Sequence, residues 1–146
     1  MAFYIIAIFF VALDRLLKTL AVNGYFKFPI KIIDDLFKLS FTPNYNIAFS
    51  LPIRGISLDI AIIFLIIFLL WFFVRWFKKG ETVRSAILFC VIVGAASNLL
   101  DRLRFGYVVD YLDLRYFTVF NLADCMIVGG GIGIIWLLTI KKEPSK

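Results

Sequence analysis

Two segments of this sequence repeat one spacing, Asn98-Leu-Leu-Asp101 and Asn121-Leu-Ala-Asp124. On a helix, residues three apart share a face, so each copy sets an amide beside a carboxylate. Arg102, four residues after Asn98, joins the first of those faces. Between the copies, Val108-Val-Asp-Tyr-Leu-Asp113 adds Asp110 and Asp113 in what reads as a short exposed connection. A carboxylate in an apolar site needs donors or a cation to stay charged; otherwise it holds a proton. Two carboxylates brought together cannot easily both ionise, so one tends to be protonated and one charged. An aspartic hydrolase requires that state, with the charged member activating water and the neutral one polarising the scissile carbonyl. Spacing alone does not say which two acids pair.

The chain has no histidine, which removes Ser-His and Cys-His nucleophilic pairs and histidine-ligated zinc. Hydrolytic chemistry must therefore use carboxylates. Cys90 and Cys125 lie in apolar segments and read as small core residues, with neither a disulfide nor a metal spacing. Gly129-Gly-Gly-Ile-Gly133 also lies in an apolar run, so it reads as a helix-packing surface and not as a phosphate loop.

The elements that must position the acids follow from an apolar composition. Of 146 residues 62% are hydrophobic and 17 are phenylalanine, above the roughly 45–50% of a soluble domain. Four runs approach the roughly 20 residues that a bilayer demands: residues 2–22, 56–77, 85–104 and 119–140. The expected fold is an all-α membrane protein, one domain over 1–146, with four transmembrane helices and a small extracytoplasmic β element in the segment 23–55. The first run has no basic n-region or small-residue cleavage site and reads as a retained helix. It carries Asp14, Arg15 and Lys18, and Asp14 precedes Lys18 by four, the favourable order for a helical ion pair. In the segment that follows, Phe37, Leu39 and Phe41 alternate with Lys38, Ser40 and Thr42, the period of a half-buried strand resting on the membrane surface.

The net charge of +6 comes from basic residues flanking apolar runs, which fits anionic headgroups and not nucleic acid. Arg75, Lys78, Lys79 and Arg84, with Lys141, Lys142 and Lys146, mark the expected cytoplasmic side, although Arg54 and the lysines of the first connection dilute the asymmetry. Trp71, Trp76 and Trp136 read as interface anchors or packing residues. Four crossings put both termini on the cytoplasmic side and gather the polar ends of runs one, three and four at the outer face. Intramembrane acids also bridge helices by hydrogen bonds, or line an ion path. A path needs polar residues through the bundle, and Ile60 to Val74 offers none.

Three stretches resemble, in order, the signature of the lipoprotein signal peptidases (signal peptidase II). They are Val93-Gly-Ala-Ala-Ser-Asn-Leu-Leu-Asp-Arg102, Gly106-Tyr-Val-Val-Asp110 and Val119-Phe-Asn-Leu-Ala-Asp124. Asp14 with Lys18, and Asn44-Tyr-Asn-Ile-Ala-Phe-Ser50, complete five motifs that span nearly the whole chain. The resemblance implies an aspartyl endopeptidase of the bacterial inner membrane, needing no metal or other cofactor. Its substrate would be a prolipoprotein bearing diacylglycerol on a cysteine, cut before that cysteine at the outer face. Membrane lipids are the other expected partner, and the chain is expected to act as a monomer. The resemblance also implies that Asp110 and Asp124 are the catalytic pair and that Asp101 and Arg102 support them. Asn44, Asn98, Arg102 and Asn121 would line the substrate site, with Asp14 and Lys18 nearby. Asn46 and Ser97 stand where the family usually has glycine. Asn tolerates positive φ, and Ser is small enough for close helix contact and able to bond to a neighbouring carbonyl.

Overall fold

A computed structural model describes residues 1–45 and 55–139. Asn46, Arg54 and the lysines at 141, 142 and 146 lie outside the described residues. In chain order the elements are α1 (Ala2–Val22), β1 (Ile30–Ile33), β2 (Phe37–Asn44), α2 (Ile56–Lys78), α3 (Thr82–Phe105), β3 (Val108–Leu114) and α4 (Leu122–Thr139). Three of the helices, α2, α3 and α4, are long and apolar enough to cross a membrane. The fourth, α1, has 21 residues but carries Asp14, Arg15 and Lys18 within its length.

An apolar helix in hydrocarbon need not bury its side chains against protein. Leu58 is the one buried residue of α2, and Phe64, Phe68 and Trp71 all face outward, as does Trp136. Small residues instead let α3 and α4 approach closely. A Cβ on Gly130 would collide with Val91, and one on Gly133 would touch Ile87, whereas Gly129 and Gly131 meet nothing. The packing surface expected of Gly129 to Gly133 is thus real, but Gly130 and Gly133 form it. The cysteines do not match the core positions expected of them, since Cys90 is half-buried and Cys125 exposed.

The β element is larger than the pattern suggests. Its three strands pair antiparallel in the order β1-β2-β3, and β3 is the stretch that reads as an exposed connection. That expectation is corrected: Val108 through Tyr111 are buried. Val-Val-x-Tyr-Leu is rich in the β-branched and aromatic residues that strands favour, and the two acids masked that signal. Pro43 is tolerated in β2 because β1 pairs only with its first residues, Phe37 to Leu39, so that among the described residues no strand lies along the edge at Pro43 to receive an N–H.

The turn from α3 into β3 depends on Gly106, which takes φ +79° and donates its N–H to Arg102 O at 2.8 Å. A left-handed cap of this kind suits glycine. Val109 and Tyr111 then pack with Ala21 and Phe26 in an apolar core that locks β3 to the end of α1.

Candidate active site

The first turn of α4 organises the site. Helix N-termini leave N–H groups without intrahelical partners, and here each finds one. Leu122 N donates to Tyr111 Oη at 3.1 Å, Ala123 N to Asp14 Oδ1 at 3.2 Å and Asp124 N to Asn121 Oδ1 at 2.9 Å. Asn121 N in turn donates to Asp124 Oδ2 at 3.2 Å. Asn121 and Asp124 therefore form a reciprocal capping box. The second Asn-x-x-Asp copy is consequently not two neighbours on a helix face, because Asn121 stands outside the helix as its cap.

Beneath this turn lies a buried ion network. Asp14 and Lys18 pair at 3.2 Å within α1, as their spacing predicts, and Lys18 also reaches Asp101 Oδ2 at 2.8 Å. Arg15 pairs with Asp101 Oδ1, and Val109 N donates to Asp101 Oδ2 at 3.3 Å. Ser97 bonds to a carboxylate and not to the expected carbonyl: its Oγ donates to Asp14 Oδ2 at 2.6 Å. The two acids and two bases balance. Removing Asp14, Lys18 or Asp101, each fully buried, would strand a buried charge, a loss of about 3–5 kcal/mol.

Asp110 and Asp124 sit apart from these cations and are held mainly by amides. In the β2–β3 ladder Asp110 faces Thr42, so Asn44, two residues on, shares its face as a diagonal neighbour. Asn44 Nδ2 donates to Asp110 Oδ2 at 2.9 Å, and Asn121 Nδ2 to Asp110 Oδ1 at 2.6 Å. From α3, Asn98 Nδ2 donates to Asp124 Oδ1 at 2.7 Å. All four carboxylate oxygens of the two acids thus accept from protein donors. Burial, reinforced by the charge of Asp124, pushes the Asp110 carboxyl up to about 7 against the pull of the Asn44 and Asn121 bonds. Burial and the charge of Asp14 push the Tyr111 phenol up as well, so it stays protonated and donates to Asp14 Oδ1 at 3.0 Å.

The first Asn-x-x-Asp copy is split between tasks, with Asn98 turned to Asp124 and Asp101 to α1. Asp113 falls on the opposite pleat from Asp110 and meets Ser40 Oγ at 3.5 Å, away from the pair. A cavity of about 250 Å³ opens on Asp124, lined also by Asn44, Asn98 and Arg102 and by the apolar Val108, Phe120, Ile127 and Val128. A second, of about 170 Å³, opens on Asp110 beside Thr42, Asn44 and Thr118. Arg102 Nε lies 3.9 Å from Asp59 Oδ1. Roles for Arg15, Asp59 and Tyr111 are not evident from the motifs. Arg15 alone gave a signal, as a charge too deep in an apolar run to lack a partner.

Residues 6–140 match the family model described as signal peptidase (SPase) II. The lipoprotein signal peptidase of Halothermothrix orenii is 38% identical over 137 residues, covering 92% of this chain and 93% of the relative. That of Moorella thermoacetica is 34% identical over 141 residues, covering 96% and 94%. A solved bacterial membrane enzyme superposes with a TM-score of 0.79 at 24% identity, over 99% of this chain and 94% of the other, which is a likeness of fold.

Proposed function

The chain belongs to the signal peptidase II family, and from that premise we propose that it removes signal peptides from diacylglyceryl-modified prolipoproteins, cleaving before the lipidated cysteine. It is a multi-pass membrane protein, and in this reading α1 is its fourth crossing, with the outer ends of α1, α3 and α4 meeting under the sheet. The whole chain then forms one domain in the bacterial inner membrane, acting as a monomer among lipids, with the site at the outer face and both termini cytoplasmic.

Asp110 and Asp124 are the catalytic pair in this reading. One is charged and takes a proton from water as the oxygen adds to the scissile carbonyl; the other is protonated and donates to the carbonyl oxygen. The proton then passes to the leaving amine as the C–N bond breaks. Asn44, Asn98 and Asn121 position the acids, Arg102 faces substrate in the larger cavity, and Asp14, Lys18 and Asp101 hold the scaffold. The observation that carries the reading is Asn121, which donates to Asp110 with its side chain and to Asp124 with its backbone. No metal or other cofactor is invoked.

The test is cleavage of a synthetic diacylglyceryl-cysteine prolipoprotein peptide by the purified chain in lipid. Asp110→Asn and Asp124→Asn should each lose about 10²–10⁴-fold in rate while inserting and folding normally. Full activity in either variant removes the pair.

A further inference from the structure

Lys18 is 1% exposed, and its ammonium has four acceptors within reach. Two are the carboxylates of Asp14 and Asp101, and one is Ser97 Oγ at 3.5 Å. The fourth is Asn98 Oδ1 at 2.7 Å. That contact has an orienting effect, because an amide presents an acceptor on one side and a donor on the other in nearly the same shape. A cation can satisfy only the oxygen. With Oδ1 held by Lys18, Nδ2 is turned to Asp124 Oδ1 at 2.7 Å. The flipped amide would set NH₂ against ammonium and oxygen against carboxylate, two repulsive contacts in a buried place.

Resting on the reading of Asp110 and Asp124 as the catalytic pair, we propose that Lys18 is a positioning residue. Through Asn98 it keeps Asp124 the charged, water-activating member and leaves the proton on Asp110. Lys18 makes no ion pair with Asp124 among the described residues, so its direct effect is that of a charge at a distance. Asp124 also lies in the first turn of α4, where the helix dipole favours an anion. Asp110 lies on a strand, which has no such dipole.

The charged and titratable groups around Asp124 are Asp110 and Tyr111 from β3, Asp14 and Lys18 from α1, Asp101 and Arg102 from α3, Asp59 from α2 beside Arg102, and Cys125 on its own helix. Asp14 and Asp101 are each paired within the ion network. Asp110 is therefore the acid with which Asp124 must divide a proton.

A double-mutant cycle tests the relay, using Lys18→Gln, Asn98→Ala and both together in the full chain, with kcat, KM and the pH profile of peptide cleavage read for each. Each single change should lower kcat by about 10- to 100-fold, the value of a hydrogen bond to a charged group. In Lys18→Gln, KM should stay nearly unchanged, and in both single variants the acidic limb of the profile should move to higher pH. The double variant should be no worse than the lower single. Multiplied losses, or an unmoved profile, overturn the proposal. Should Lys18→Gln fail to fold with Asp14 and Asp101 uncompensated, the charge-balanced Lys18→Gln with Asp101→Asn, read against Asp101→Asn alone, gives the same comparison. The two readings fail separately: an active Asp110→Asn or Asp124→Asn removes the pair, whereas inactive Asn variants with an additive cycle remove only the relay.

Discussion

Asn121 Nδ2 lies 2.6 Å from Asp110 Oδ1, and this contact joins the sheet to the start of α4. The same residue caps the helix that carries Asp124. Its two tasks can be separated by substitution. Serine remains a good N-cap but is too short to reach Asp110, whereas alanine loses both functions. Both variants lose the buried bond to the Asp110 carboxyl, a cost of about 1.5–3 kcal/mol, and Asn121→Ala should unfold about 1 kcal/mol below Asn121→Ser. Both should cleave substrate at least about 10-fold more slowly, from loss of one bond to a carboxyl. Thermal unfolding and kcat, measured side by side, check this; an active Asn121→Ser would remove the bridge from the mechanism.

The Asp110 carboxyl is pushed up to about 7 by burial and by the charge of Asp124, and on the proposed mechanism it sets the alkaline side of the activity. If the pair works with one shared proton, raising the pH through about 7 removes it and cleavage falls. Lowering the pH far enough protonates both members and cleavage falls again, so kcat should trace a bell. A kcat that is level from pH 6 to 9 would contradict a single working proton.

The same shift fixes the sign of a stability effect. A carboxyl raised in the folded chain adds stability, relative to its charged form, that is fully present below its unfolded value near 3.8 and is lost as pH rises through about 7. Asp110→Asn mimics the protonated group and escapes that loss. Its advantage over the parent should grow by about 2–4 kcal/mol between pH 4 and pH 8. The checking measurement is the difference in melting temperature at the two pH values, with parent and variant in the same detergent.

Helices were the most legible part of this fold, because a bilayer sets run length directly and Ile60 to Val74 satisfies it without interruption. The Asp14–Lys18 pair was legible too, since both ends lie on one helix. What spacing could not express was where a helix begins. Asn98-x-x-Asp101 lies inside α3 and Asn121-x-x-Asp124 straddles the start of α4, so identical spacings became a split pair and a capping box. Strand β3 was hidden because its two acids look solvent-seeking, although Asp110 is 1% exposed. Nor could local sequence separate Asp101 from Asp110, as the difference lies in Arg15 and Lys18, which α1 brings from more than 80 residues away.

Close contact between α3 and α4 supplies the last prediction. Gly94 sits one turn before Asn98, and a Cβ there would lie 2.9 Å from Ala123 O and 3.2 Å from Met126 Cβ. The nearest obstacle is backbone in the first turn of α4, so a side-chain rotation cannot relieve it. Gly94→Ala must push that turn away, and Asp124 moves with it, lengthening the 2.7 Å bond from Asn98. Overpacking of this sort costs about 1–3 kcal/mol, partly offset by the roughly 1 kcal/mol preference of helices for alanine over glycine. Gly129→Ala gains the preference without the clash, since no atom of the described residues lies within 4 Å of a Cβ there. Melting temperature and kcat should both fall in Gly94→Ala and hold in Gly129→Ala. Equal behaviour of the two would mean that the α3–α4 approach at Gly94 does not set the placement of Asp124.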